Sequence, residues 1–338
     1  MSKHNIDAWL ALNDTTRENI FRQVALQKKL PNQAIEKDWW IVQTLSALFN
    51  LTCSPFLIFK GGTSLSKGWN LIQRFSEDID LVIDRESLGF SGDLDTRGIK
   101  NLRKATKKYI VETLLPELHA KFVELGLEVV VKPRHFESSG QDPMIIELFY
   151  PKLFELNDYL KPDLLIEIGS RSLFEPNTLT TFKSFVADVY SESPFADEPI
   201  TVPTANIERT FLEKIFLLHE EFQKPDSKIR VERMSRHLYD IEKLMHTAEA
   251  MEVIINHDLY NAIVRHRQKY TPLQEVDYAK HAPSTIQFVP PQQQLDAWES
   301  DYKLMQEYMI YGNSLSFAKL IENLNSLQNR INNLNVKL

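Results

Sequence analysis

FKGGTSLSKGWNLIQRFSEDIDLVID, residues 59–84, is the stretch on which the reading of this chain turns. A short apolar run, Pro55 to Phe59, predicts a strand that delivers Lys60 and the pair Gly61-Gly62. Glycine lets a backbone turn tightly and approach a phosphate closely, because no Cβ stands in the way. A helix-compatible segment follows, then Ser76-Glu77-Asp78-Ile79-Asp80. A strand here points Asp78 and Asp80 to one face, about 6–7 Å apart along the backbone. Ile79, Leu81 and Ile83 then point the other way, into a core. Paired carboxylates beside a glycine turn are what a divalent metal and a bound triphosphate require.

The rest of the chain sets bounds on that reading. It has 338 residues, 43% hydrophobic and 25% charged, an ordinary globular composition that suits one or two domains. One cysteine, Cys53, leaves no intramolecular disulfide framework and fits a reducing compartment. The N-terminal stretch has no apolar core after a basic start, so it does not read as a secretory signal. No run approaches the roughly 20 apolar residues that span a bilayer, so a soluble, cytoplasmic protein without membrane contact is expected. The net charge is −7, so any nucleic-acid contact must come from a local basic patch.

Working outward, Asp14 to Lys28-Lys29 predicts a helix capped by Asp or Thr, and Gln33 to Phe49 a second. Glu36-Lys37-Asp38 in the second reads either as a functional acidic cluster or, the favoured reading, as the solvated side and first turn of a packing helix, with Trp39 and Trp40 as core or interface anchors. Residues 84–98 read as a loop. A helix runs from Ile99 to Leu125, kinked or divided at Pro116 and stopped by Gly126. Its first half carries Lys100, Arg103, Lys104, Lys107 and Lys108, which are either a solubilising surface or a contact to an RNA phosphate backbone. Strands are predicted at 127–131, 144–150 and 163–169, with a turn-rich break at 137–142 before the second. Glu167 and Glu147 sit between apolar neighbours, facing either solvent or the metals of Asp78 and Asp80. Strands grouped after helices suggest an α+β fold with a mixed sheet.

The character changes after Pro203. A helix starts at Thr204-Ala205-Asn206, and another, near Val231 to Ala250, carries Arg236, His237 and Asp240. An amphipathic segment from Leu315 to Val336 closes the chain. This divides the protein into a domain of residues 1–203 and a mainly helical one of residues 204–338.

Nucleotidyl transfer needs few parts: clustered carboxylates to hold metal, backbone N–H groups at a glycine turn for phosphates, and a lysine near the leaving pyrophosphate. The first two are offered by Asp78, Asp80 and Glu167, and by Gly61, Gly62, Thr63 and Ser64, with Lys60 a further phosphate contact. A bare Asp-x-Asp is weak evidence. The glycine pair a short helix upstream makes it much more specific.

FKGGTSLSKGW followed by RFSEDIDLVI resembles the AbiEii/AbiGii (MenT-like) nucleotidyltransferase toxin family. EKDWW, ERTFLEKI at 208–215, RHLYDIEKL at 236–244 and DYKLMQEYMIYGNSLSFAKLIENL near the end extend the resemblance over most of the chain. It implies a DNA polymerase β-like nucleotidyltransferase core with a helical C-terminal region. It implies a Mg²⁺-dependent toxin of a toxin–antitoxin, phage-defence type system, adding nucleotides from NTP to the 3′ acceptor end of tRNA and blocking translation. A cognate antitoxin is implied as partner. By motif, Ser76, Asp78 and Asp80 match active-site positions, Lys214 the lysine of the EK segment, and Asp240 the aspartate after the tyrosine in RHLYD. Glu167 is the expected third carboxylate. His237 departs from the pattern, where an acidic residue is common. Without the resemblance, Lys214 reads as a snorkelling surface lysine and Asp240 as a helical partner of Arg236. Three other functions are weighed: nucleotide transfer to a protein hydroxyl, an Asp-x-Asp glycosyltransferase, and a non-catalytic partner-binding relative.

Overall fold

The computed structural model describes residues 3–134, 143–155, 159–161, 163–171 and 176–334. The chain forms two compact units, one of Met1–Asn70 with Phe75–Ala205, the other of Leu71–Arg74 with Asn206–Leu338. The predicted break at 137–142 and the final residues to Val336 lie outside the described residues.

The first unit is built on a seven-stranded mixed sheet in the order β3-β4-β5-β2-β1-β7-β6. Its strands are β1 (Leu57–Lys60), β2 (Asp78–Ile83), β3 (Val130–Pro133), β4 (Met144–Phe149), β5 (Leu164–Gly169), β6 (Asn177–Phe182) and β7 (Ile200–Ala205). Strand β2 runs antiparallel to β1 and parallel to β5. The alternation read from Asp78-Ile79-Asp80-Leu81 holds: the aspartates are half-buried, and Ile79 and Leu81 are fully buried. The fold is a mixed α/β architecture with many flanking helices, as the α+β reading expects.

Helices α1 (Lys3–Leu10), α2 (Asp14–Lys28) and α3 (Asn32–Leu48) precede the sheet. The cap of α2 is Asn13, one residue before the predicted one, its side-chain oxygen accepting from the Thr16 N–H. Trp9 stacks on Trp39 at 5.0 Å between ring centroids, and Trp40 on Tyr150 at 5.0 Å, so the tryptophans are core. The solvated face predicted for Glu36-Lys37-Asp38 is overturned: these three residues are 2%, 1% and 1% exposed. After β1 the chain forms a short helix α4 (Gly61–Thr63) that passes into a π turn, Ser64–Gly68.

The predicted helix at 99–125 begins earlier, as α5 (Thr96–Tyr109), because the Asp95 side chain caps it. A π turn, Ile110–Leu114, joins it without a break to α6 (Leu115–Leu125) and falls just before Pro116, whose ring removes a helix N–H donor. The strand predicted at 127–131 is shifted to β3. Helix α7 (Phe185–Val189) separates β6 from β7.

The second unit is helical. Thr204 and Ala205, predicted to open its first helix, belong to β7, and α8 (Ile207–Glu221) follows Asn206. The helix predicted near Val231 to Ala250 is two, α9 (Ser235–Leu244) and α10 (Ala248–Val253), with the Thr247 hydroxyl capping the second. Helices α11 (His257–Tyr270), α12 (Leu295–Tyr308) and α13 (Phe317–Asn332) complete it. No helix among the described residues is long and apolar enough to cross a membrane.

Candidate active site

Sheet register gathers the carboxylates of the first unit. Asp80 lies opposite Lys60 on β1 and opposite Glu167 on β5, so these three form one row across three strands. Paired residues share a face, and Asp78, two residues before Asp80, lies on that same face. Glu147 is on this face too, but β4 is separated from β2 by β5, and Arg134 Nε lies 3.3 Å from its carboxylate. Glu167, not Glu147, is therefore the neighbour of Asp80.

The glycine turn has a specific cause. Gly61 has φ +79°, and a Cβ built on it would fall 1.9 Å from Asp80 Oδ2. The Asp80 carboxylate thus occupies the place of the missing side chain, which binds the turn and the strand into one structure. Thr63 and Ser64 are each 1% exposed. The Thr63 hydroxyl donates to the Asp78 carbonyl, and the Ser64 hydroxyl donates to the Gly61 carbonyl at 2.9 Å. The Thr63 side chain thus ties the turn to β2 and the Ser64 side chain closes the turn on itself, so neither hydroxyl faces outward. Ser76 is half-exposed just before β2.

Asp78 is asymmetric. Its Oδ2 pairs with Lys161 Nζ at 2.8 Å, while its Oδ1 is buried with no hydrogen-bond partner. A buried carboxylate oxygen without a partner is costly unless something positive completes it. Among the described residues no three His, Cys, Asp or Glu side chains converge closely enough to ligate an ion by themselves. Mg²⁺ does not need such a cage, since it is bound by one or two carboxylates together with waters and substrate phosphates. The orphaned Oδ1 and the Asp80–Glu167 row suit that mode.

Behind this edge stands a buried ion-pair layer. Lys37 Nζ lies 3.0 Å from Glu77 Oε2 and donates to the Lys161 carbonyl at 2.9 Å. Glu77 Oε2 also accepts from the Lys161 backbone N–H at 2.9 Å. Burial pulls the Lys37 ammonium below its ordinary value, and the facing Glu77 opposes that pull. Asp38 takes Lys67 of the π turn at 2.5 Å and the Phe185 N–H at 2.7 Å. Helix α3 therefore braces both the entrance of β2 and the segment after the glycine turn. Lys161 escapes the sequence reading, Lys37 reads there as solvated, and Glu77 lies inside the quoted motif but carries no assigned role.

The second unit holds a separate buried cluster. Arg74 binds Asp240 in bidentate fashion, Nε and Nη2 each at 2.7 Å, and Lys214 Nζ lies 2.7 Å from Asp240 Oδ2. Arg74, Asp240 and Lys214 are 3%, 0% and 7% exposed. Lys214 is thus no surface lysine, and the partners of Asp240 come from α8 and residue 74 rather than from one helical turn away. Burial would raise the Asp240 carboxyl, but Arg74 and Lys214 outweigh it and hold it well below the usual carboxylate range. One carboxylate cannot neutralise two cations. Burial, then Arg74 and Arg236, pull the Lys214 ammonium below its ordinary value against the attraction of Asp240. His237 is kept neutral, its value pushed well down by burial and by Lys214 and Arg236. Tyr239 continues the cluster, its hydroxyl accepting from the Gln73 N–H at 3.2 Å.

The basic residues of α5 lie on its outer side. Lys104, Lys107 and Lys108 are exposed and Arg103 is half-buried, opposite the buried Ile99, Leu102 and Thr106. Lys108 lies 3.9 Å from Glu112.

Comparison with known proteins adds family information to this geometry. Residues 43–323 match the family model described as "Nucleotidyl transferase AbiEii toxin, Type IV TA system". No curated protein matches the chain. Two solved structures from Helicobacter pylori align with it. JHP933 does so at 15% identity over 90% of this chain and 93% of its own, with a TM-score of 0.40. A candidate nucleotidyltransferase does so at 14% identity over 90% and 96%, also with a TM-score of 0.40.

Proposed function

Because the chain belongs to the AbiEii nucleotidyl transferase toxin family of type IV toxin–antitoxin systems, we propose that it is a Mg²⁺-dependent enzyme that moves nucleotides from NTP to tRNA. The acceptor is the 3′ end of the tRNA, its modification blocks translation in the cytoplasm, and a cognate antitoxin restrains it. The observation that carries this reading is the row Asp80–Glu167 beside Asp78, whose Oδ1 is buried and unpartnered, at a turn where Gly61 yields its Cβ space to Asp80.

In the transfer, the 3′-hydroxyl gives up its proton to water, its oxygen bonds to the α-phosphorus, the bond from the α-phosphorus to the α–β bridging oxygen breaks, and pyrophosphate departs with that oxygen. Bound Mg²⁺ supplies charge neutralisation on the triphosphate. Asp78, Asp80 and Glu167 would hold it. The backbone at Gly61 and Gly62 lies against the phosphates, and Lys60, in register with Asp80, adds a cation on the same face. Thr63 and Ser64 keep that backbone in place. Ser76 belongs to this site as the residue leading into β2. Lys214, oriented by Asp240, acts as a catalytic pair. The exposed Lys104, Lys107 and Lys108, with Arg103, meet the RNA backbone.

The test is incubation of the protein with tRNA and each labelled NTP in Mg²⁺, resolved on a gel, beside Asp78→Ala. Labelled tRNA from the wild type and none from a folded variant is the expected result. Full activity in Asp78→Ala overturns the assignment, and label on protein instead of RNA moves the acceptor to a protein hydroxyl.

A further inference from the structure

The Asp78 carboxylate already carries a cation of the chain's own. Lys161 stands three residues before the start of β5, its ammonium 2.8 Å from Asp78 Oδ2, and its side chain is 34% exposed. Its backbone is fixed independently of that contact: the Lys161 N–H donates to Glu77 at 2.9 Å and the Lys161 carbonyl accepts from Lys37 at 2.9 Å. The main chain of Lys161 is therefore clamped by a buried ion pair while about a third of its side chain remains in solvent. A lysine has three donors on a flexible stem of four carbons, so its ammonium can leave one anion for another a few ångströms away without moving the backbone.

Resting on the reading of Asp78 as a metal carboxylate, we propose that Lys161 is a placeholder cation that guards this site. Without nucleotide it neutralises Asp78 and competes with free divalent metal. When a metal–triphosphate complex enters, the ammonium passes from Asp78 Oδ2 to a phosphate oxygen. Lys161 is then a positioning and substrate-binding residue that couples metal loading to nucleotide loading, and the Lys37–Glu77 pair is the anchor from which it swings.

This makes two opposite demands on one substitution. Lys161→Met removes the competitor, so Mn²⁺ alone binds more tightly, by about fivefold, the size set by a partly exposed ion pair. The same variant loses the phosphate contact, so Mn²⁺ with a non-hydrolysable NTP analogue binds more weakly, by about fivefold or more. Both are read without turnover, by Mn²⁺ electron paramagnetic resonance and by calorimetry on the full chain. Lys161→Arg, which keeps a cation at the same place, returns both affinities toward wild type. A residue of structural importance alone would weaken both affinities together or neither, and either result overturns the proposal. Asp78→Asn separates the two levels of the argument. If wild type and Asp78→Asn bind Mn²⁺ equally, the metal assignment of Asp78 fails. If Asp78→Asn loses Mn²⁺ but Lys161→Met does not gain it, the guarding role alone fails.

Discussion

Asp240→Asn is the most revealing single change in the second unit. The amide keeps the shape of the carboxylate but removes the one negative charge between Arg74 and Lys214, all three residues being at most 7% exposed. Breaking a buried pair by neutralising one partner costs about 3–5 kcal/mol, because the uncompensated charges stay buried. That is roughly two to four powers of ten in local opening. The dependence on pH carries a sign. In the wild type the Asp240 carboxyl sits below its ordinary value of 3.8, so its contribution is complete above that pH and fades as pH falls through the lower folded value. Lys214 is already lowered from 10.5, and in the variant it loses its counter-charge. Between the folded Lys214 value and 10.5 the unfolded chain binds more protons, so the stability of the variant rises with pH there. The gap between wild type and variant is therefore widest near neutrality and narrows toward alkali. Amide hydrogen exchange of the α8 and α9 peptides at pH 7 and pH 9, corrected for intrinsic rates, measures it. A gap under about 1 kcal/mol at pH 7, no larger than an exposed ion pair supplies, would refute the reasoning, as would a gap that widens toward pH 9.

Two further outcomes are expected. Gly61→Ala places a Cβ where Asp80 Oδ2 lies, at φ +79°, so it should cut nucleotide transfer at least about tenfold. Gly126→Ala, with similar backbone strain at φ +72° but only Leu10 nearby, should leave transfer intact; equal activity of the two variants would remove Gly61 from the site. Charge reversal at Lys104 and Lys107 should weaken RNA binding in filter assays and lower the salt slope by roughly 1.4–1.8, at about 0.7–0.9 for each of two lost phosphate contacts. An unchanged slope would make that helix a solvated face.

What the sequence displays of this fold is what local periodicity can carry. Asp78-Ile79-Asp80-Leu81 alternates with period two, and the strand and the common face of the aspartates follow from that alone. The choice between Glu167 and Glu147 does not, since both sit between apolar neighbours. It needs the sheet order, in which β5 and not β4 lies beside β2, and that order joins segments about 85 residues apart through pairings that no local pattern encodes. Pro203 misled for a related reason. It reads as a boundary, yet it lies within β7 opposite Leu179, on a strand whose register with β1 is a single pair, Phe59 with Thr204. Arg74 was visible in the quoted motif. Its partner Asp240 lies 166 residues away, so nothing local marked it as more than a residue before the serine.

The misreading of Glu36-Lys37-Asp38 is the instructive one, because the sequence did hold the signal. Charges in a helix usually mark its wet face. In α3, however, Ala34, Ile35, Trp39, Trp40, Ile41, Val42, Leu45, Ala47 and Leu48 go all the way round the helix and leave no polar stripe, and every residue from Ala34 to Leu48 is buried. A helix without a wet face must bury its charges, and buried charges must be met. Each is met by a different part of the unit. Glu36 accepts from the Leu153 N–H at 2.7 Å, and burial pushes its carboxyl up to about 7. Lys37 holds Glu77, and Asp38 holds Lys67. Those last two partners, Glu77 and Lys67, lie next to the aspartate strand and just after the glycine turn. Two of the three charges on this otherwise apolar helix therefore lead to partners beside the candidate site, because a buried charge needs a fixed counter-charge and the counter-charges here stand next to Asp78 and the glycine turn.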